Sequence, residues 1–95
     1  MNAYIITYDN RPPRDYSALY RLMHSWGAVR LAQSVWLVQL AIDPFAAVRS
    51  VVGALEPDDT VAVLPLQQNA AWAAIHVSDA AANWLSRNIA QAIAA

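Results

Sequence analysis

Cysteine is absent from this 95-residue chain. That removes disulfide frameworks and thiolate metal sites together. Lysine is absent too, and all six basic residues are arginine. Every positive charge is therefore a planar fork suited to carboxylates and phosphates. The only glycines are Gly27 and Gly53, so no glycine-rich phosphate loop can be built. Charged residues make up 14% of the chain and the net charge is −1. This excludes a polybasic arm for nucleic acid or membranes. No uncharged apolar run reaches the roughly 18 residues of a membrane-spanning helix without breakers. Residues 60–77 come nearest, and Pro65, Gln67, Gln68 and Asn69 interrupt them. No basic residue precedes Arg11, so an export signal is not expected and a cytoplasmic location is.

What the chain does have is apolar side chain. Hydrophobic residues make up 58%, although 20 of them are alanine. Disordered chains show the opposite balance, and the length suits one domain. A domain this small with so few charges is expected to keep spare hydrophobic surface and to form an oligomer. Charge is unevenly spread: residues 1–35 carry +2 and residues 36–95 carry −3. The N-terminal part is where an anion would be met.

Ala3 to Tyr8 reads as a buried strand that ends at the turn cluster Asp9-Asn10-Arg11-Pro12-Pro13. Asp15 stands at an N-cap position. Tyr16, Leu19, Tyr20, Met23 and Trp26 follow at helical spacing, with Gly27 suited to C′. Ala28–Ala32 and Val35–Ala41 read as two strands joined in a hairpin or a bulged ribbon around Gln33-Ser34. Asp43 caps a second helix with Pro44 at N1. Phe45, Val48, Val52 and Leu55 form its expected apolar stripe, and Glu56-Pro57-Asp58-Asp59 ends it. Thr60 to Leu66 is a β-branched strand whose Pro65 suggests an edge. Trp72 to Val77 reads as a fifth strand. Ser78-Asp79 caps a last helix with Ala82, Leu85, Ile89 and Ile93 on one face.

The order is β-α-β-β-α-β followed by a strand and a helix. Its first six elements are the split βαβ pattern of a ferredoxin-like α+β sandwich. Residues 1–66 would form that core. Residues 67–95 would be a strand–helix extension of the same domain that completes a dimer. Both faces of Val35–Ala41 are largely apolar, so this strand should be covered on both sides. The C-terminal extension or a second subunit must supply the second cover.

Particular residues carry a family resemblance. Tyr8-Asp9 closes the first strand, and Gly27-Ala28-Val29-Arg30-Leu31-Ala32-Gln33-Ser34-Val35-Trp36 follows. A later strand ends in Leu64-Pro65-Leu66. Together they resemble the small CRISPR-associated proteins that scaffold spacer integration as dimers, the second universal CRISPR-associated protein, some of them metal-dependent nucleases. Val77-Ser78-Asp79-Ala80 and Asn83-Trp84-Leu85 look more like a stand-alone branch of that superfamily. The VapD-type toxin ribonucleases share the fold. Asp9 matches the family aspartate, which implies two copies, one per subunit, facing each other and holding Mg²⁺. Arg30, Ser34 and Trp36 match the second motif. The chain departs from it at Ala32, where the family has glutamine, and Gln33 lies one place later.

Asp9 is thus the candidate catalytic and metal-binding residue. Phosphodiester cleavage with Mg²⁺ needs hard oxygen ligands, usually one or two carboxylates. Arg11, Arg14 and Arg30 could hold phosphate through bidentate contacts, and Ser34 could donate to it. The partners expected are a second copy and RNA or DNA, with an integrase if the gene lies in a CRISPR locus, and no membrane. Absence of lysine argues against a duplex scaffold, because neutralising many phosphates takes a basic excess. A non-catalytic dimerisation or adaptor module is the alternative, and a toxin-type ribonuclease the third. His24 and His76 form no ligand pair. The tryptophans and Tyr4, Tyr8 and Tyr20 are expected in packing.

Overall fold

The structure, a computed structural model, describes residues 1–9, 11 and 14–92. The Asn10, Pro12 and Pro13 portion of the expected turn and Ile93 of the expected helix face lie outside the described residues. The elements are β1 (Asn2–Tyr8), α1 (Ser17–Ser25), β2 (Val29–Ala32), β3 (Val35–Leu40), α2 (Pro44–Val52), β4 (Val61–Pro65) and α3 (Asp79–Asn88).

The strands form one sheet in the order β2-β3-β1-β4. Every neighbouring pair is antiparallel, with Thr7 opposite Val35 and Ala62, and Ile5 opposite Leu37 and Leu64. This order and pairing are those of a ferredoxin-like α+β sandwich, in which each helix crosses over one intervening strand. β2 and β3 make the expected hairpin, with a bulge between Arg30 and Ala32.

Local chemistry explains most boundaries. Asp43 accepts from the Ala46 amide at 2.8 Å and Pro44 opens α2. Ser78 accepts from the Ala81 amide at 3.1 Å and opens α3. Each such cap satisfies a helix donor that would otherwise go unpaired. At α1 the cap differs from expectation. Tyr16 is the N-cap residue and makes no side-chain capping bond. Asp15, one residue earlier, accepts from the Ser17 amide at 2.9 Å and the Ser17 hydroxyl at 2.5 Å. Gly27 has φ +68°, the left-handed position that releases the chain after the helix.

Side chains alternate across the sheet. Tyr4, Ile6, Tyr8, Trp36, Val38, Leu40 and Val63 meet α1 and α2, burying Leu19, Met23, Ala47 and Val51 among them. Each fully buried Leu, Ile or Met here contributes about 1.5–3 kcal/mol relative to exposure. Ala3 and Leu37 face the other way and pack with Ala81, Trp84, Leu85 and Ile89 of the α3 region. The C-terminal segment thus supplies the second cover that the sequence demanded.

Two expectations are corrected. Trp72–Val77 is not a strand. It is an irregular strap, with Trp72 and Val77 packed against the second core. The Trp72 indole N–H donates to the Ala90 carbonyl at 2.5 Å, and His76 at φ +62° interrupts the extended path. The buried face of α2 follows the expected stripe only in part: Val48 and Leu55 pack against the first core, but Phe45 and Val52 do not. Ala47 and Val51 are buried, while Phe45 is 71% exposed and Val52 is exposed. Small Ala47 brings the helix close to the sheet, and Phe45 stays outside under the Arg49 guanidinium, 5.0 Å from its ring centroid. Among the described residues no helix is long and apolar enough to cross a membrane.

Candidate functional site at the end of strand β1

Asp9 leaves the sheet at the end of β1 and is exposed. Its backbone is held on two sides. Its amide donates to the Thr60 carbonyl at 3.4 Å, and its carbonyl accepts from the Tyr16 hydroxyl at 3.1 Å. The same hydroxyl accepts from the Arg11 amide at 2.7 Å. Tyr16 therefore clamps the loop that leaves β1. Next to Asp9, the Tyr8 amide donates to the Ser34 carbonyl at 3.2 Å. Asp9, Ser34 and Arg11 are thereby drawn to one end of the sheet. The Asp9 carboxylate makes no hydrogen bond or ion pair among the described residues.

Arg11 and Arg14 are paired with acidic side chains of the α2–β4 loop. Arg14 reaches Asp58 at 3.1 and 3.2 Å and also pairs with Asp59. Arg11 reaches Asp58 at 3.4 Å. The Asp59 side chain is only 1% exposed, and its other oxygen accepts from the Glu56 amide at 2.9 Å. Its burial is thus matched by bonds to both oxygens, as a buried charge requires. The Arg14 guanidinium holds the Asp58 carboxyl below the usual carboxylate range, and the same pairing raises Arg14. These contacts tie the β1–α1 loop to the α2–β4 loop. Asp58 and Asp59 read in sequence only as a helix stop.

Arg30 sits elsewhere, on the helix side of β2. Its Cζ lies 4.7 Å from the Tyr20 ring centroid and 4.6 Å from that of Trp36. Those two rings are 6.1 Å apart, so the guanidinium rests in a corner between them rather than between parallel planes. Such contacts stabilise a cation by ring electrostatics. Arg30 is exposed and makes no ion pair among the described residues.

The rings continue as a column. Tyr16, Tyr20 and His24 follow at i, i+4 spacing on α1, over Tyr8 and Trp36 of the sheet. Tyr8–Tyr16 centroids are 5.5 Å apart, Tyr16–Tyr20 6.5 Å and His24–Trp36 6.5 Å. The Trp36 indole N–H donates to the Tyr8 hydroxyl at 3.3 Å. Burial raises the Tyr8 pKa above its ordinary value, and the indole bond offsets part of that. Tyr8 and Trp36 belong to the core as expected, but Tyr20 and His24 also line an open groove beside Arg30. The i, i+4 aromatic spacing was the available signal for it. His76 lies apart, on the strap.

Among the described residues no group of three or more His, Cys, Asp or Glu side chains could hold a metal ion. Asp9 offers one carboxylate per chain. Mg²⁺ commonly takes one or two carboxylates and completes its shell with water and phosphate, so one chain supplies at most part of such a shell. Compared with protein-family models, curated proteins and solved structures, the chain gives no significant match.

Proposed function

We propose that this chain is a cytoplasmic, nucleic-acid-associated protein that works as a homodimer and cleaves RNA with Mg²⁺. It is similar in this respect to the CRISPR-associated family named above. Asp9 from each of two copies would hold the ion. The observation that supports this most directly is the state of Asp9. Its backbone is fixed by Thr60 and Tyr16, yet its carboxylate is exposed without a partner among the described residues. An exposed carboxylate on a fixed backbone is a hard oxygen donor open to Mg²⁺. Mg²⁺ bound there would polarise a phosphate oxygen and make an attacking water more acidic. The chain's own residues orient: Tyr16 fixes the Asp9 backbone, and Ser34 flanks it through Tyr8.

RNA is favoured over duplex DNA because the chain is acidic overall and lacks the cations a duplex scaffold would need. The non-catalytic adaptor reading gains from one observation: Asp58 and Asp59 occupy Arg14, and Asp58 also reaches Arg11. Two of the three candidate arginines are thus paired within the chain. Incubating a labelled single-stranded RNA with wild type and Asp9→Asn, in Mg²⁺ and in EDTA, decides between them. Cleavage should need both Mg²⁺ and Asp9. Equal cleavage by the variant, or none by wild type, rejects the catalytic reading and leaves the adaptor. Neighbouring repeats and an integrase gene would favour the integration role. An isolated gene would favour a stand-alone or toxin-type ribonuclease.

A further inference from the structure

We propose that the groove between α1 and β2 is a nucleotide-binding site, taking a 5′-phosphorylated nucleotide with its phosphate on Arg30 and its base against Tyr20 and His24. This rests on the RNA reading above, because it assigns how the substrate's nucleotide is held. It involves neither Asp9 nor a metal.

Three observations carry it. The first is contrast among the three arginines that the sequence offers for phosphate. Arg11 and Arg14 are paired with Asp58 and Asp59, whereas Arg30 is exposed and has no acidic partner among the described residues. The second is orientation. Tyr20 and Trp36 hold the guanidinium against their rings at 4.7 and 4.6 Å. Ring contacts hold the guanidinium in place without using its N–H donors as an ion pair would, and a planar fork matches phosphate in bidentate fashion. The third is space beside it. A shallow groove of about 530 Å³ is lined by Tyr20, His24, Val29, Arg30, Trp36 and the small Ala80 of α3. Its walls are mostly apolar or aromatic, and a base stacks readily on such side chains. An anion next to flat apolar surface is the chemistry of a nucleotide. Inorganic phosphate would not use the groove, and a nucleoside would not use the fork.

The test is solution NMR on the full chain in EDTA, following the Trp36 indole N–H and the Arg30 side-chain N–H signals. Adenosine 5′-monophosphate, adenosine and inorganic phosphate are titrated separately. The nucleotide should shift both signals at lower concentration than either fragment. Arg30→Gln should weaken it about tenfold, the size expected for one lost charged hydrogen bond. Ala80→Phe, which fills the groove from an exposed helix position and leaves Arg30 intact, should weaken the nucleotide but not phosphate. Oligoadenylate with a 5′-phosphate separates the sources. Equal or tighter binding at the same signals points to an RNA end, and binding of the mononucleotide alone points to a free nucleotide.

Three results overturn the site: no shift at millimolar nucleotide, phosphate binding as tightly as nucleotide, or affinity unchanged in both variants. Asp9→Asn should bind nucleotide like wild type. Failure of the cleavage reading therefore leaves this titration standing, and the reverse also holds.

Discussion

The Tyr16 hydroxyl donates to the Asp9 carbonyl at 3.1 Å while accepting from the Arg11 amide at 2.7 Å. One buried side chain on the helix layer thus sets the path of the loop that carries the candidate carboxylate. Tyr16→Phe keeps the ring and its packing on Tyr8 and Tyr20 but removes both bonds. It should cost about 1–3 kcal/mol for the two bonds, read as a lower urea midpoint with an unchanged slope. RNA cleavage should fall more than that stability loss explains, because Asp9 is no longer held.

Arg14 and Asp59 make the second loop-to-loop tie. Because the Asp59 carboxylate is 1% exposed, removing Arg14 strands a charge, which costs more than removing both. Arg14→Ala should lower the melting temperature by several degrees. The double variant Arg14→Ala/Asp59→Ala should recover part of the loss. A double-mutant cycle by thermal denaturation measures the coupling.

Acid should weaken the fold in a defined window. The Asp58 carboxyl is held below its ordinary value by the Arg14 hydrogen bond and charge, and that of Asp15 by the Ser17 hydroxyl and amide. For groups with depressed folded-state values, the stabilisation is fully present above the unfolded value of 3.8. It is lost as pH falls through the lower folded value. Melting curves should therefore be flat above roughly pH 5 and drop below about pH 4. Both carboxylates are exposed, so added salt should shrink the Asp58 contribution. Asp58→Asn and Asp15→Asn should each flatten the acid limb.

The second face of the sheet is a core in its own right. Leu37 is 0% exposed and packs with Trp84, Leu85 and Ile89. Leu37→Ala should cost about 2–5 kcal/mol, measured by urea unfolding. Trp84→Ala should be of similar size, about 3–5 kcal/mol. A small effect at both sites would mean that α3 does not seal the sheet.

Legibility of the sequence followed the range of the interaction. Caps at Asp43 and Ser78 and the turn at Gly27 depend on residues a few places away, and they are visible in the chain. The β-branched and apolar runs fixed the four strands, and their order with two helices between them implied the topology. The face of α2 does not follow side-chain bulk. The sheet instead admits small Ala47, and Phe45 stays outside beneath Arg49. Trp72–Val77 has strand-like residues, but its path is set by packing against α3, which no local pattern reports. At the candidate site, Asp9 was visible as a strand-end carboxylate. The partners of Arg14 lie 44 and 45 residues away and could not be inferred. The aromatic column was written in the i, i+4 spacing of Tyr16, Tyr20 and His24, but only the sheet beneath it gave that spacing a use.

α1 and α2 cover one sheet face, and the C-terminal strap and helix pack on the other, so both cores lie within one chain. Folding should then not require association. Melting temperature should not change with protein concentration, as it does when folding requires a partner. An activity that needs Asp9 from two copies must instead fade on dilution, with specific activity falling while the diluted chains stay folded. Phe45, Leu64 and Ile75 stay exposed on each chain, so apolar surface is left for a second copy, and any pairing through it would be a quantity that concentration regulates.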